Sequence, residues 1–140
     1  MRNLNREECL QFLMENTFGY VGCNDGYNTY IYPATYYFDD KNIVCQSAPD
    51  SKIDIMRQNR RVCFQIGSNH TQFNHKNVLI LGEYSEINDL NQRYNSIRYF
   101  VHRMIQLDSF QDQDTIMKQH KMIKPVIYRI IIDEITGTHH

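Results

Sequence analysis

Short apolar and aromatic segments separated by turn-forming residues make up most of the hydrophobic pattern of this chain. β-Branched and aromatic side chains are typical of strands, and segments of this length between turn signals predict a β-rich domain. Asp25-Gly26 is a hairpin signal because both residues tolerate positive φ, and Gly82 predicts a bulge inside a strand. The predicted strands span residues 18–23, 29–38, 43–46, 61–66, 77–87 and 126–132.

Helical periodicity appears at three places along the chain. A first helix begins at Asn5, which forms a capping-box pair with Glu8, and a short helix is predicted over 51–58. Apolar residues three and four positions apart predict a long helix over 89–106. The polar segment 107–124 has no clear period, and our prediction for it is a short helix within a loop. Closely spaced strands with few helices between them favour a small antiparallel barrel over a parallel sheet.

The 140 residues suffice for one domain, which we place at residues 1–138, and His139 and His140 are interpreted as the remnant of a tag. A net charge of −1 gives no support for nucleic-acid binding, which needs a basic excess. No apolar run approaches the roughly 18 to 20 residues of a membrane span, and no secretory signal is evident. The cysteines show no CxxC pairing. We therefore expect a cytoplasmic protein with neither a nucleic-acid partner nor a membrane.

The loop after the third predicted strand carries the residues best suited to bind an anion. Ser47 and Ser51 flank the entry to the short helix, where backbone N–H groups have no intrahelical acceptor, and Lys52 adds a positive charge. This combination suits a phosphate group. The alternative is that Lys52 is an ordinary solvated lysine and that the serines only cap the helix.

No catalytic constellation accompanies this loop, so the catalytic residues stay unassigned. The chain has no serine–histidine–acid or cysteine–histidine arrangement, no Walker loop and no GxGxxG motif. One hypothesis makes His75 a proton donor, but a plain surface histidine is the favoured interpretation. His70 and His75, with Cys63 nearby, lack the spacing of a zinc site, so no metal is predicted.

Five segments in a fixed order link this chain to a known family. They are Arg-Glu-Glu-Cys-Leu-Gln-Phe-Leu with Phe-Gly-Tyr-Val-Gly, Tyr-Ile-Tyr-Pro-Ala-Thr-Tyr-Tyr-Phe-Asp-Asp, Gln-Ser-Ala-Pro-Asp-Ser-Lys with Asp-Ile-Met-Arg-Gln-Asn-Arg-Arg-Val-Cys-Phe, Asn-Val-Leu-Ile-Leu-Gly-Glu-Tyr-Ser-Glu-Ile, and Val-Ile-Tyr-Arg-Ile-Ile-Ile-Asp-Glu-Ile-Thr-Gly. Over residues 4–137 the chain resembles the pyridoxamine 5′-phosphate oxidase-like, FMN-binding split-barrel superfamily, most of all its nitroimidazole-resistance-type and general-stress-type branch. The resemblance implies a mainly β fold with flanking helices. It is a six-stranded antiparallel split barrel that forms a homodimer with two FMN sites at the interface.

The resemblance also implies which residues bind FMN. The phosphate is expected at Gln46, Ser47, Ala48, Ser51 and Lys52, and the flavin ring is expected beside Tyr32, Pro33, Ala34 and Thr35. The partner subunit is expected to cover the ring through residues 73–77, which include Asn77. Two positions depart from the family pattern. Relatives often have glycine just before the lysine, where this chain has Asp50-Ser51, and tryptophan before the fifth strand, where it has Asn74-His75.

These features predict an oxidoreductase that passes electrons from a nicotinamide cofactor, NADH or NADPH, through FMN to a small-molecule acceptor. The flavin ring carries the hydride chemistry itself, so the missing catalytic constellation is compatible with this function. One alternative is a flavin-binding or flavin-storing protein without turnover. Another is a split-barrel dimer that binds haem or a different ligand, because the fold by itself does not settle function. A strict pyridoxamine phosphate oxidase is disfavoured, since the C-terminal substrate-binding signature of those enzymes is not evident.

Overall fold

The computed structural model of this chain describes residues 1–67, 75–107 and 124–140. Its strands are β1 (Arg2–Asn3), β2 (Phe18–Asn24), β3 (Thr29–Phe38), β4 (Ile43–Ser47), β5 (Arg61–Gly67), β6 (Lys76–Glu86) and β7 (Val126–His139). Its helices are α1 (Arg6–Glu15), α2 (Ser51–Gln58) and α3 (Leu90–Leu107). The six-stranded antiparallel barrel with flanking helices is confirmed, and β1 is an additional short strand. The predicted short helix within 107–124 lies outside the described residues.

Pairing between β6 and β7 closes the sheet into a barrel. The strands follow the order β7-β4-β3-β2-β5-β6, and all eleven residues of β6 pair with β7 across the remaining gap. The predicted bulge is confirmed, because the register of this pairing shifts between Leu81 and Gly82. A Cβ atom at Gly82 would collide with the carbonyl oxygen of Ile131, so the close approach of the two strands requires glycine.

The last strand is longer than the sequence predicts. The prediction ends β7 at residue 132, because the polar residues that follow it, such as Asp133 and Glu134, have the appearance of a strand end. The structure continues β7 to His139, which pairs with Lys76 on one side and with Arg2 on the other. The extension forms because β6 offers a full row of backbone partners, which outweighs the low strand propensity of the side chains. The interpretation of His139 and His140 as a tag remnant stays a prediction.

The core fills the interior of the barrel, and α1 covers one end of it. The capping box predicted for Asn5 and Glu8 is present, and α1 buries Leu13 completely against the core. The Tyr36 hydroxyl donates to the Leu13 carbonyl oxygen at 2.8 Å, which ties α1 to β3. A smaller cluster lies outside the barrel, where α3 packs Phe100 against Val44 and Ile127. These contacts leave the start of α2 and one outer face of the sheet uncovered within the described chain.

Replacing Leu13 by alanine tests how much the barrel depends on α1. The change removes a fully buried side chain, so we expect Leu13→Ala to lower the free energy of unfolding by about 2–5 kcal/mol. Met14, the next residue, is 50% exposed, and Met14→Ala is the matched control with an expected change within about 0.5 kcal/mol. Urea unfolding followed by circular dichroism measures both. Equal losses for the two variants would contradict the packing described here.

Candidate functional site

The candidate site lies along the first part of β3, which β4 does not pair with. β4 pairs with β3 at Tyr36, Tyr37 and Phe38, so among the described strands the first part of β3 pairs with β2 alone. Pro33 lies in this part, where its missing N–H costs no ladder hydrogen bond. The loop after β4 and the start of α2 come next to this stretch. The structure therefore brings Lys52 of the predicted phosphate group next to Tyr32 of the predicted ring group.

The ammonium group of Lys52 is held at this opening by two neighbours. Its Nζ atom lies 5.5 Å from the centre of the Tyr32 ring and 3.6 Å from Oδ2 of Asp50. Only 12% of the Lys52 side chain is exposed. A largely desolvated ammonium over an aromatic face is a stronger electrostatic feature than a solvated lysine. The geometry does not fit a solvated lysine, and anion binding by Lys52 stays a prediction.

Asp50 forms the N-cap of α2. Its Oδ1 atom accepts a hydrogen bond from the Ile53 N–H at 3.4 Å, and its backbone carbonyl accepts from the Asp54 N–H at 3.3 Å. Helix geometry leaves the N–H groups of Ser51 and Lys52 without an intrahelical acceptor. Those two N–H groups and the Lys52 ammonium are the donors that the site can offer to an anion.

The other residues of the predicted phosphate group occupy different environments. Ser47 is buried and its hydroxyl donates to the Ala48 carbonyl oxygen at 2.8 Å, so the side chain stabilises the loop. Ser51 is exposed at the first position of α2. Gln46 is half-buried and pairs through its backbone with Ile127 of β7. Whether these residues bind a ligand stays a prediction.

The four predicted ring residues of β3 lie on two different faces. Successive side chains of a strand point to opposite sides of the sheet. Ala34 is buried in the barrel and Tyr32 packs on the same core, whereas Pro33 and Thr35 are exposed on the outside. Tyr32 is therefore the ring residue that the structure places beside Lys52. Pro33 and Thr35 are available to a ligand on the outer surface.

Asn77 lies on the outer face of β6, away from Lys52. Its neighbour Val78 is fully buried, and the Asn77 Oδ1 atom accepts a hydrogen bond from Nε2 of Gln65 on β5. Strands β2 and β5 separate β6 from β3, and three steps between strands amount to roughly 14 Å. One subunit does not bring Asn77 to the Lys52 end of the site. The part of the predicted 73–77 segment before His75 lies outside the described residues.

Two thiols behind Lys52 are buried and protonated. Burial raises the pKa of Cys45 to about 12, although the Tyr128 hydroxyl and the Lys52 charge lower it in part. Burial also raises the pKa of the Cys23 thiol, which again the Lys52 charge partly offsets. A thiolate is the nucleophilic form of cysteine, so neither thiol is suited to covalent catalysis. All four cysteines of the chain are free.

Sequence reasoning missed an apolar outer face of the sheet. Exposed hydrophobic side chains project from β2, β3 and β6 on the side of the sheet that carries Pro33 and Asn77. We call this surface the apolar face; it consists of Phe18, Tyr20, Ile31, Leu79 and Leu81. A shallow depression of about 310 Å³ beside Cys63 and Leu81 lies within it. The available signal was the near-continuous apolar run in these strands, which is typical of strands covered on both sides.

A second polar cluster lies at the other end of α2. Arg57 Nε donates to Oε1 of Glu86, which also accepts from the Tyr84 hydroxyl at 2.7 Å. The hydrogen bond from Arg57 lowers the pKa of Glu86, and burial raises the pKa of Tyr84. These residues line a cavity of about 550 Å³. Sequence reasoning missed this cluster because Arg57 and Glu86 are far apart along the chain.

The sequence predicts neither a metal site nor a membrane span, and the described residues can be searched for both. No group of three or more histidine, cysteine, aspartate or glutamate side chains in residues 1–67, 75–107 and 124–140 is arranged to hold a metal ion. None of the described helices is long and apolar enough to cross a membrane.

Comparison with known proteins places this geometry in context. A family model described as pyridoxamine 5′-phosphate oxidase matches residues 5–139. An uncharacterized protein of Rhizobium meliloti strain 1021 is 32% identical over 87 residues, which cover 62% of this chain. The chain thus spans only 58% of the length of that relative.

Solved structures share the fold over almost the whole chain. A FAD-binding protein of Mesorhizobium loti is 24% identical with a TM-score of 0.77, and the match covers 99% of this chain and 97% of that one. A proposed 5-nitroimidazole antibiotic resistance protein of Bacteroides thetaiotaomicron is 16% identical with a TM-score of 0.73, covering 97% and 86% of the two chains. The family resemblance inferred from the sequence is confirmed by the family model, and the solved structures confirm the fold.

Proposed function

This chain belongs to the pyridoxamine 5′-phosphate oxidase family, and from that premise we propose that it binds a flavin nucleotide and acts as an oxidoreductase. The observation that carries the proposal is the Lys52 ammonium, held beside the Tyr32 ring at the start of α2. The Mesorhizobium loti neighbour is described as a FAD-binding protein. That likeness supports a flavin as the ligand of this opening.

The phosphate end of the flavin would bind at the start of α2. The N–H groups of Ser51 and Lys52, together with the Lys52 ammonium, form a donor set that fits the 5′-phosphate of a ribityl chain. FMN is the flavin that the sequence predicts, and FAD carries the same 5′-phosphate as part of its diphosphate. The ring would extend along β3 from Tyr32 toward the outer surface at Pro33 and Thr35.

The ring end of the site would be completed by a second copy of the chain. Asn77 lies roughly 14 Å from β3 within one subunit, yet it shares an outer surface with Pro33 and Thr35. The apolar face between them exposes hydrophobic side chains that water solvates poorly, with Ile31 70% exposed. Pairing two such faces would bury these side chains and bring Asn77 of one subunit near β3 of its partner. We therefore propose a homodimer with the flavin at its interface.

The chain would contribute binding and orientation while the flavin supplies the hydride chemistry. Lys52 and the start of α2 would anchor the phosphate, and the paired apolar faces would exclude water from the ring. The buried thiols stay protonated and take no part, because burial raises the pKa of Cys23 and Cys45. NADH or NADPH would be the electron donor and a small molecule the acceptor. Four free cysteines fit a reducing cytoplasm as the compartment.

Flavin retention and reduction test the proposed function directly. Protein mixed with FMN or FAD and then desalted should keep the visible flavin bands at about one flavin per subunit. Anaerobic addition of NADH or NADPH should then bleach those bands, because reduced flavin absorbs little visible light. Bound flavin that neither nicotinamide reduces would instead indicate a storage protein. A protein that keeps neither flavin would contradict the proposal.

Substitution of Lys52 tests the phosphate end of the site. Lys52→Met removes the charge and keeps an apolar stem of similar length, so the helix should stay folded. We expect the dissociation constant for FMN to rise roughly tenfold, as the loss of one charge-assisted hydrogen bond implies. Lys41→Met, in the exposed β3–β4 turn, is the matched control. Fluorescence quenching measures both, and an unchanged affinity for Lys52→Met would remove Lys52 from the site.

Charge placed on the apolar face tests the homodimer. Ile31→Asp should shift the protein from dimer to monomer in sedimentation experiments and should weaken flavin binding by about tenfold or more, since a buried unpaired charge is costly. Leu90→Asp, at a residue 80% exposed on α3, is the control and should change neither property. A wild-type chain that binds flavin as a monomer would rule out the interface site.

A further inference from the structure

We propose that Asp50 determines which flavin this site prefers. Its carboxylate neutralises the cation at the phosphate end, so that FMN loses the electrostatic advantage over FAD that its more highly charged phosphate would otherwise have. The inference rests on the proposed flavin site and concerns the residue just before Ser51-Lys52, which is an acid.

Asp50 caps α2 and also pairs with the Lys52 ammonium, one of the groups that an incoming phosphate needs. Oδ1 accepts from the Ile53 N–H at 3.4 Å, and Oδ2 lies 3.6 Å from the Lys52 ammonium. The Lys52 side chain is 12% exposed whereas that of Asp50 is 46% exposed, so the carboxylate is the more solvent-accessible partner of this ion pair.

The cap does not explain why this residue is an acid. Serine and asparagine cap helices about as well as aspartate, because each offers a side-chain oxygen to the N–H groups of the first turn. The next residue along the chain is itself a serine. What aspartate adds is a negative charge beside Lys52. The charge also interacts favourably with the N-terminus of α2, so the binding test must separate this structural effect from an effect on the ligand.

FMN and FAD differ in charge at this point. The phosphate of FMN is a monoester, which carries a charge of about −1.5 to −2 at neutral pH, like other phosphate monoesters. Each phosphate of FAD is substituted on both sides and carries one negative charge. A free Lys52 would attract the monoester more strongly than the FAD phosphate. With Asp50 beside it, the net charge of the pair is close to zero and that advantage of FMN is lost.

The size of this effect follows from Coulomb's law. One unit of charge a few ångströms away, at the effective dielectric constant of a partly exposed site, changes an affinity by about tenfold. The Asp50 carboxylate is 3.6 Å from the Lys52 ammonium and thus also within a few ångströms of any phosphate bound there. FMN, with nearly one extra charge at its phosphate, is penalised more than FAD by about this factor.

Titration of three flavins into three proteins tests the inference. The flavins are FMN, FAD and riboflavin, and the proteins are the wild type, Asp50→Asn and Asp54→Asn. Asp50→Asn keeps a capping oxygen and removes the charge. Asp54→Asn is the matched control, because Asp54 also lies in the first turn of α2, is 72% exposed and pairs with Arg57 rather than Lys52. Thermal unfolding of each apoprotein checks that the cap survives, and Asp50→Ser repeats the test with a second uncharged cap.

We expect the wild type to bind FMN no more tightly than FAD. Asp50→Asn should strengthen FMN binding about tenfold more than it strengthens FAD binding, so that the variant prefers FMN. Riboflavin, which has no phosphate, should bind all three proteins alike. Asp54→Asn should leave the ratio of the FMN and FAD dissociation constants unchanged.

The outcomes separate this inference from the proposed function. A wild type that binds flavins but prefers FMN, or an Asp50→Asn variant with an unchanged FMN-to-FAD ratio, would overturn the role of Asp50 and leave the flavin site intact. An equal change in both variants would assign the effect to overall charge and also overturn it. Failure of every protein to bind any of the three flavins would overturn the proposed function and this inference together.

Discussion

The pairing of β6 with β7 is the constraint on which the rest of this structure depends. Without it the chain would form an open sheet with two long unpaired edges; with it, all eleven residues of β6 close a barrel. Closure divides each strand into an inner and an outer set of side chains. The inner side chains form the core around residues such as Phe64 and Ile80. The outer side chains are not covered by the barrel itself, so they face solvent, a helix or another subunit. The Gly82 bulge lets the two closing strands approach each other.

The division into inner and outer side chains also shapes the candidate site. Alternation along β3 sends Tyr32 to the Lys52 end and Pro33 and Thr35 to the outer surface, so a ligand that touches all of them must cross the rim of the barrel. Asn77 belongs to the outer surface only. A single subunit thus holds one end of the proposed site and leaves the other end open. The same surface carries the exposed hydrophobic side chains, so one interface would meet both needs.

The short helix α2 carries a charged pair near each of its ends. Its residues Ile53 and Met56 are buried in the core and hold the helix in position. This packing also fixes where the polar residues at the two ends of the helix lie. Lys52 and Asp50 meet at the N-terminus, and Arg57 meets Glu86 near the C-terminus. Both ends hold paired charges, but only the Lys52 end adjoins the free stretch of β3. The position of this helix therefore sets where the proposed anion site lies.

The sequence by itself determined the elements, the capping of α1 and α2, the hairpin at Asp25-Gly26, the bulge at Gly82 and the membership of a split-barrel family, because local propensity and ordered motifs carry that information. It also named Lys52 as the residue to test. Only the tertiary structure decided that β7 continues to His139, that Asp50 turns its carboxylate to Lys52, and that Asn77 lies away from it. The first and the last of these depend on contacts between distant segments, and the second depends on the side-chain rotamer of Asp50. The free energy of each arrangement is set by residues that become neighbours only in the folded chain, so a local sequence pattern does not determine it.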